Sequence, residues 1–178
     1  PDPDTMHAIN VEGTRSLITA ASNAGLEHIV YTSSVATLGL TADGTPANEE
    51  TPCSLESVVG NYKRSKFLAE QVVMQLTQEL SLPLVIVNPS TPIGPGDVRP
   101  TPTGRLVVDA LTERMPAYVN TGLNIAHVDD IAFGHLLALQ HGKAGERYIL
   151  GGDNMPLFQI FQANDEINGL SQKRIKIP

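Results

Sequence analysis

Apolar positions along the chain follow helical and strand periods in alternation. From Asp4 to Ala24 the sequence DTMHAINVEGTRSLITAASNA spaces Met6, Ile9, Val11, Leu17, Ile18 and Ala21 along one stripe, which predicts a helix over 5–24. Asp4 or Thr5 is its expected cap, and Gly25 the expected left-handed residue beyond its end. Gly13 inside it costs about 1 kcal/mol against alanine, which points to a packing reason for the glycine. HIVYTSS, residues 28–34, is β-branched and aromatic and reads as a short buried strand. Residues 39–57 are rich in Gly, Pro, Thr, Asn and Glu and read as a surface loop. A second apolar stripe, Phe67, Leu68, Val72, Val73, Leu76 and Leu80, predicts a helix over 61–80.

LPLVIVNP then gives another continuous apolar strand, followed by PSTPIGPGDVRPTPTG, with five prolines and three glycines between residues 89 and 104. Such a restricted loop suits the rim of a site at a sheet edge. Further on come a helix over 104–114, an extended piece at AYVN, a helical stripe in HVDDIAFGHLLALQ, a strand at ERYIL and a helix at FQIFQANDEI. Helix and strand alternate, which points to βαβ units, a parallel sheet flanked by helices and the α/β class.

Composition removes several classes of function. The 178 residues carry 41% hydrophobic and 17% charged residues, so the chain is expected to fold around a core. A net charge of −7 offers no basic face for nucleic acid. Cys53 is the single cysteine, which excludes an intrachain disulfide and a cysteine-based metal site. No apolar run approaches the roughly 20 residues of a membrane helix, and PDPDTMHAIN has no apolar signal core. A soluble, cytoplasmic protein with no metal, membrane or nucleic-acid partner is the expectation.

The candidate chemistry lies in NYKRSK. Tyr62 and Lys66 are four residues apart, on one face of the predicted helix. An ammonium beside a phenol favours the phenolate and lets it exchange protons near neutral pH. On spacing alone the pair reads first as two ordinary surface residues. Ser34 stands at the carboxyl end of the strand HIVYTSS, and PSTPIGPGD begins at the carboxyl end of the next, the rim where open α/β sheets bind ligands. Asn10 reads as a buried amide near the site or a helix-packing residue. Asp129 or Asp130 reads as a helix cap rather than a metal ligand. Arg105 reads as solvated or as a contact for an anionic group, and Cys53 has no base beside it.

VYTSSVATLG, NYKRSK, VIVNPSTPIGPGD and HVDDIAFGHLLAL, with NVEGT before them, together resemble the extended short-chain dehydrogenase/reductase (NAD-dependent epimerase/dehydratase) superfamily. PSTPIGP, RPTPTGR and NTGLNIAHVDD are similar to its dihydroflavonol-reductase-like branch, closest to hopanoid-associated sugar epimerases. The resemblance implies an NAD(P)-binding Rossmann fold and a catalytic Ser34, Tyr62 and Lys66. Tyr62 would be the general acid/base. Lys66 would bind the nicotinamide ribose and depress the Tyr62 pKa, and Ser34 would hold the substrate oxygen. Thr32, Ser33, Pro89, Ser90 and Thr91 would line the cofactor, NAD or NADP, together with Tyr62 and Lys66.

Two departures stand out. Asn88-Pro89 replaces the family's usual Arg-Pro, so any anchoring by that arginine is absent or replaced. No glycine-rich phosphate fingerprint follows any strand, which makes a partial Rossmann fold the expectation. Residues 1–90 and 125–150 would form the later half of that domain, and 91–124 with 151–178 parts of the substrate-binding lobe, in one partial domain. The implied function is an NAD(P)-dependent oxidoreductase or epimerase acting on a sugar-nucleotide-like or small carbonyl or hydroxyl substrate. The fragment alone is expected to be inactive. The alternative is a non-catalytic nucleotide-sensing or interaction protein on the same fold. A homodimer through the helices at 5–24 and 61–80 is the partner the resemblance implies.

Overall fold

The computed structural model describes residues 2–177, which fall into two compact units. The first runs to Ser90 and resumes over Ala132–Leu150; the second comprises Thr91–Ile131 and the segment from Gly151.

The first unit opens with α1 (Pro3–His7), a π-helical turn over Ala8–Glu12 and α2 (Gly13–Asn23). The predicted single helix is therefore interrupted. Its cap is Asp2, not Asp4 or Thr5: the Asp2 carboxylate accepts from the Thr5 N–H at 3.1 Å, with Pro3 pre-set in the first turn. Gly25 takes φ +65°, as the sequence predicts. Gly13 has no packing reason, because a Cβ there would meet nothing closer than the Ala8 carbonyl at 3.7 Å. Instead its N–H donates to that carbonyl, five residues back, and closes the π turn.

β1 (Ile29–Thr32) leads into a 3₁₀ turn, Val35–Thr37, and then the irregular stretch predicted over 39–57. α3 (Asn61–Glu79) and β2 (Leu84–Pro89) follow. β2 lies at the centre of a parallel sheet, paired with β1 (Ile29 opposite Leu84) and with β6 (Arg147–Leu150; Ile86 opposite Arg147). Side chains of a strand alternate between faces, so one run of apolar residues in β2 fills two cores. Leu84 and Ile86 pack with Val11, Ile18, Ala69, Val73 and Leu76 of the helices before and after β1. Val85 and Val87 pack with Ala138. Ala138 lies on α5 (Val128–His141), within the portion belonging to the first unit.

The second unit contains β3 (Thr91–Ile93), α4 (Pro102–Leu111), β4 (Ala117–Val119) and β5 (Gly122–His127). After Gly151 come β7 (Asp153–Pro156), α6 (Leu157–Asn168) and β8 (Ile175–Ile177). β5 pairs in parallel with β3 and antiparallel with β7, and β4 pairs with β8. The loop expected to run unbroken over 89–104 thus contains a strand, because Thr91–Ile93 finds a partner in Ile125–His127. α4 begins two residues earlier than predicted, at Pro102, capped by Thr101. Leu157, Ile160 and Phe161 close the core on Ala110. Arg174 folds back over the Phe161 ring at 4.7 Å and meets the Asp165 carboxylate through two nitrogens, at 2.7 and 3.0 Å.

No helix among the described residues is long and apolar enough to cross a membrane.

Gly13→Ala is expected to stabilise the fold by about 0.5–1 kcal/mol, since the position is helical and open. Gly39→Ala is expected to cost about 1–3 kcal/mol, because a Cβ there would overlap the Pro52 carbonyl oxygen, a backbone atom with little room to yield. Urea unfolding of both variants reads the opposite signs. The Arg174 guanidinium holds the Asp165 carboxyl below the usual carboxylate range. Its stabilisation is therefore fully present above the unfolded pKa, about 4, and lost as pH falls through the lower folded value. Asp165→Asn is expected to lower the midpoint of thermal unfolding at pH 7 and to flatten its fall between pH 4 and 2.

Candidate active site

The carboxyl end of β1 carries Thr32, Ser33 and Ser34. The Ser33 N–H still donates to Val87 of β2 at 2.8 Å, so the ladder runs one residue past the strand. Ser34 is extended, at φ −167° and ψ 152°, and its Oγ caps the 3₁₀ turn by accepting from the Ala36 N–H at 3.1 Å. Its carbonyl is gripped more heavily, by the Thr37 N–H (3.1 Å), Thr37 Oγ1 (2.8 Å) and Asn88 Nδ2 (3.1 Å).

α3 brings the other candidates. Gly60 ahead of it takes φ +92°, which lets the loop turn sharply into the helix. Tyr62 lies in the first turn and is 55% exposed. One turn later Lys66 reaches back to the sheet, where Nζ donates to the Thr32 carbonyl at 3.2 Å and lies 5.6 Å from the centre of the Tyr31 ring. Burial lowers the Lys66 pKa, and the negative charge of Glu70 acts against that. Burial likewise raises the Tyr31 phenol. Asn10, in the π turn, donates to Ser65 Oγ at 2.9 Å, and Ser65 Oγ donates to the Tyr62 carbonyl at 2.8 Å. The amide thus braces the turn of α3 that carries Tyr62, a helix-packing role.

At the end of β2, Pro89 closes the strand and the Ser90 N–H donates to Leu150 of β6 at 3.0 Å. Thr91 belongs to the second unit, where it pairs with Ile125. Two hydroxyls on this rim, Ser33 Oγ and Ser90 Oγ, are buried without a hydrogen-bond partner among the described residues. Unpaired buried polar atoms are costly, and their presence at the ends of adjacent strands fits a polar ligand that would satisfy them.

Behind the rim lies a polar cluster that the sequence reading missed. Glu70, 1% exposed, accepts from Asn88 Nδ2 at 2.8 Å and Thr37 Oγ1 at 2.9 Å through one oxygen. Its other oxygen accepts from Arg147 Nη1 at 3.2 Å. The signal for Glu70 was available: it stands on the apolar face of α3 between Ala69 and Val73, one turn past Lys66. Arg147 likewise opens the otherwise apolar strand YIL.

The remaining polar candidates have local partners. Arg105 pairs with Asp109 one turn along α4 at 3.4 Å. The cap before α5 is not Asp129 or Asp130, which sit inside its first turn. His127 holds that place, with Nδ1 accepting from the Asp129 N–H at 3.2 Å. The second unit has a largely apolar cavity of about 380 Å³ whose lining includes Ile93, Pro95, Asp97, Thr101, Val108 and Val128.

A candidate dihydroflavonol 4-reductase of Synechocystis sp. is 46% identical over 99% of the chain and 52% of its own length. Sterol demethylase protein B of Methylococcus capsulatus is 34% identical over 99% of the chain and 53% of its own length. The chain therefore spans about half the length of these curated relatives. Among solved structures, the crystal structure of gox2253 superposes with a TM-score of 0.96 at 56% identity, over 99% of this chain and 54% of that one. A family model described as NAD dependent epimerase/dehydratase matches residues 1–151, which carry the parallel sheet, Tyr62 and Lys66. The chain belongs to the NAD dependent epimerase/dehydratase family.

Proposed function

We propose that this chain carries the catalytic half of an NAD(P)-dependent oxidoreductase acting on a small carbonyl or hydroxyl compound. The observation that carries the reading is the Lys66 ammonium held 3.2 Å from the Thr32 carbonyl, one helical turn beyond Tyr62. That tie brings the base of α3 to the strand end that bears Ser34. The first unit would be the later half of the Rossmann domain, and the second would supply parts of the substrate-binding lobe.

When bound, a nicotinamide cofactor supplies the hydride donor or acceptor. Ser33 and Ser90, with unpaired buried hydroxyls, fit its polar edge, and Thr32 and Pro89 would complete that lining. Lys66 would contact its ribose and keep positive charge beside Tyr62. Tyr62 would deliver a proton to the substrate oxygen, or take one, while the Ser34 hydroxyl holds that oxygen in line. The exposure of the phenol leaves it reachable from solvent by a substrate. A carbonyl compound is favoured over a sugar nucleotide by the names of the two relatives, a dihydroflavonol reductase and a sterol demethylase component.

In the product of the complete reading frame, Tyr62→Phe is expected to lower kcat by about 10³-fold or more while NAD(P)H still binds, as read by cofactor fluorescence titration. Near wild-type turnover in that variant would sink the mechanism and favour a sensing or interaction role. Stoichiometry separates the two chemistries. A net absorbance change at the nicotinamide band, one per product formed, marks a reductase; product without net change marks an epimerase.

The same reading includes a homodimer through α1–α2 and α3, supported by exposed Ile9 and Leu17 between Pro3 and Asn23 and by exposed Leu80 just after α3. Leu17→Glu is expected to convert a dimer to a monomer in sedimentation velocity, and an unchanged dimer would exclude this face.

A further inference from the structure

Glu70 is a carboxylate buried at the back of the proposed site, eight residues past Tyr62 on the same helix. Its hydrogen-bond partners among the described residues are Asn88, Thr37 and Arg147. Asn88 and Thr37 are each tied to the rim at one remove, through the Ser34 carbonyl. Asn88 Nδ2 lies within reach of three acceptors, the Glu70 carboxylate (2.8 Å), Thr37 Oγ1 (3.0 Å) and the Ser34 carbonyl (3.1 Å). Thr37 Oγ1 has one hydrogen, for which the Glu70 carboxylate (2.9 Å) and the Ser34 carbonyl (2.8 Å) are rival acceptors. The donors that grip the Ser34 carbonyl are thus the donors that Glu70 orients.

We propose that Glu70 is a positioning residue: through Asn88 and Thr37 it fixes the backbone of Ser34, and so aims the Ser34 hydroxyl at the substrate oxygen. The inference rests on the reading of Ser34 as a substrate-holding residue. Arg147 balances the charge from the opposite side, and its Nε donates to the Glu49 carbonyl at 2.6 Å, which keeps the guanidinium in place. Without the Glu70 carboxylate, the Asn88 amide and the Thr37 hydroxyl lose the acceptor that sets their orientation. The Ser34 carbonyl then keeps only the Thr37 N–H as a fixed donor. An amide at position 70 cannot substitute, since it offers one oxygen to donors on two sides and turns an N–H toward the other.

The test is a double-mutant cycle in the product of the complete reading frame. Glu70→Gln is expected to lower kcat about 10²-fold, the order that a misplacement of about 1 Å produces, with the cofactor KM within about twofold of wild type. Ser34→Ala is expected to lower kcat on its own, and the double variant to fall no more than about threefold below Ser34→Ala. A purely structural role would instead give independent losses that multiply, or a shift in cofactor KM, and either result overturns the proposal. Thr37→Val, which keeps the shape of the buried side chain while removing its hydroxyl, goes through the same cycle. A Glu70 variant that does not fold therefore leaves the question answerable. If Ser34→Ala alone has wild-type kcat, the reading of the site fails; if Ser34→Ala is impaired but the cycle is additive, only the positioning role fails.

Discussion

The first unit is organised around one electrostatic constraint, the charge of Glu70 in its interior. Removing a carboxylate from water costs several kcal/mol after relaxation, and only a close counter-ion with further donors offsets it. Arg147, Asn88 and Thr37 meet that requirement from β6, β2 and the 3₁₀ turn after β1. One buried group therefore locks the relative positions of α3 and all three strands. The lock extends outward through Arg147 to the Glu49 carbonyl, and the Glu49 carboxylate accepts from the Ile149 N–H at 2.9 Å. β6 ends the order of the described sheet, and Glu49 takes the place of a neighbouring strand there. The loop over 39–57 is pinned to the sheet by this side chain although it forms no regular structure of its own.

The same constraint bears on the candidate chemistry. Lys66 and Glu70 are one turn apart on α3, so the carboxylate that orders Ser34 also opposes the loss of charge that burial imposes on Lys66. Ser34 and Lys66 reach the rim from different elements, a strand end and a helix, and Glu70 is the group that both depend on. Hydrogen bonding specifies directions where apolar packing specifies only proximity. The apolar cores on either face of β2 set how close the helices come; the polar cluster sets how the rim is aimed.

The elements with sustained periodicity were legible from the sequence. α3 and β2 are found almost where the spacing of Phe67 to Leu80 and the run LPLVIVNP place them, because both bury a continuous stripe. The family, too, was legible from the order of its motifs. What escaped was set by partners distant in sequence. Thr91–Ile93 is a strand only because Ile125–His127 lies alongside, and neither segment is long enough to announce a period. The π turn at Ala8–Glu12 inserts a residue and shifts the buried face, so that Val11 and Ile18 are buried while Ile9 and Leu17 are exposed. Asp2 caps α1 because Pro3 favours the first turn, a cue that lies earlier than the stripe it begins. At the site, Ser34, Tyr62 and Lys66 could be named from motifs, whereas Glu70 and Arg147 were hidden among apolar neighbours, 77 positions apart.

Position 88 shows how the cluster tolerates an unusual residue. Asparagine stands there where the resemblance leads one to expect arginine, and the site is 0% exposed. Glu70 already has a guanidinium from Arg147, so an arginine at 88 would set two buried positive charges against one carboxylate. Asparagine supplies neutral N–H donors to the same acceptors and leaves the ion pair balanced. Its Oδ1 finds no partner among the described residues, a cost of about 1–3 kcal/mol. A second uncompensated buried charge would cost more than that. The substitution at 88 and the arginine at 147 therefore belong together: the cation that anchors Glu70 comes from β6, and β2 contributes the amide that passes the constraint on to Ser34.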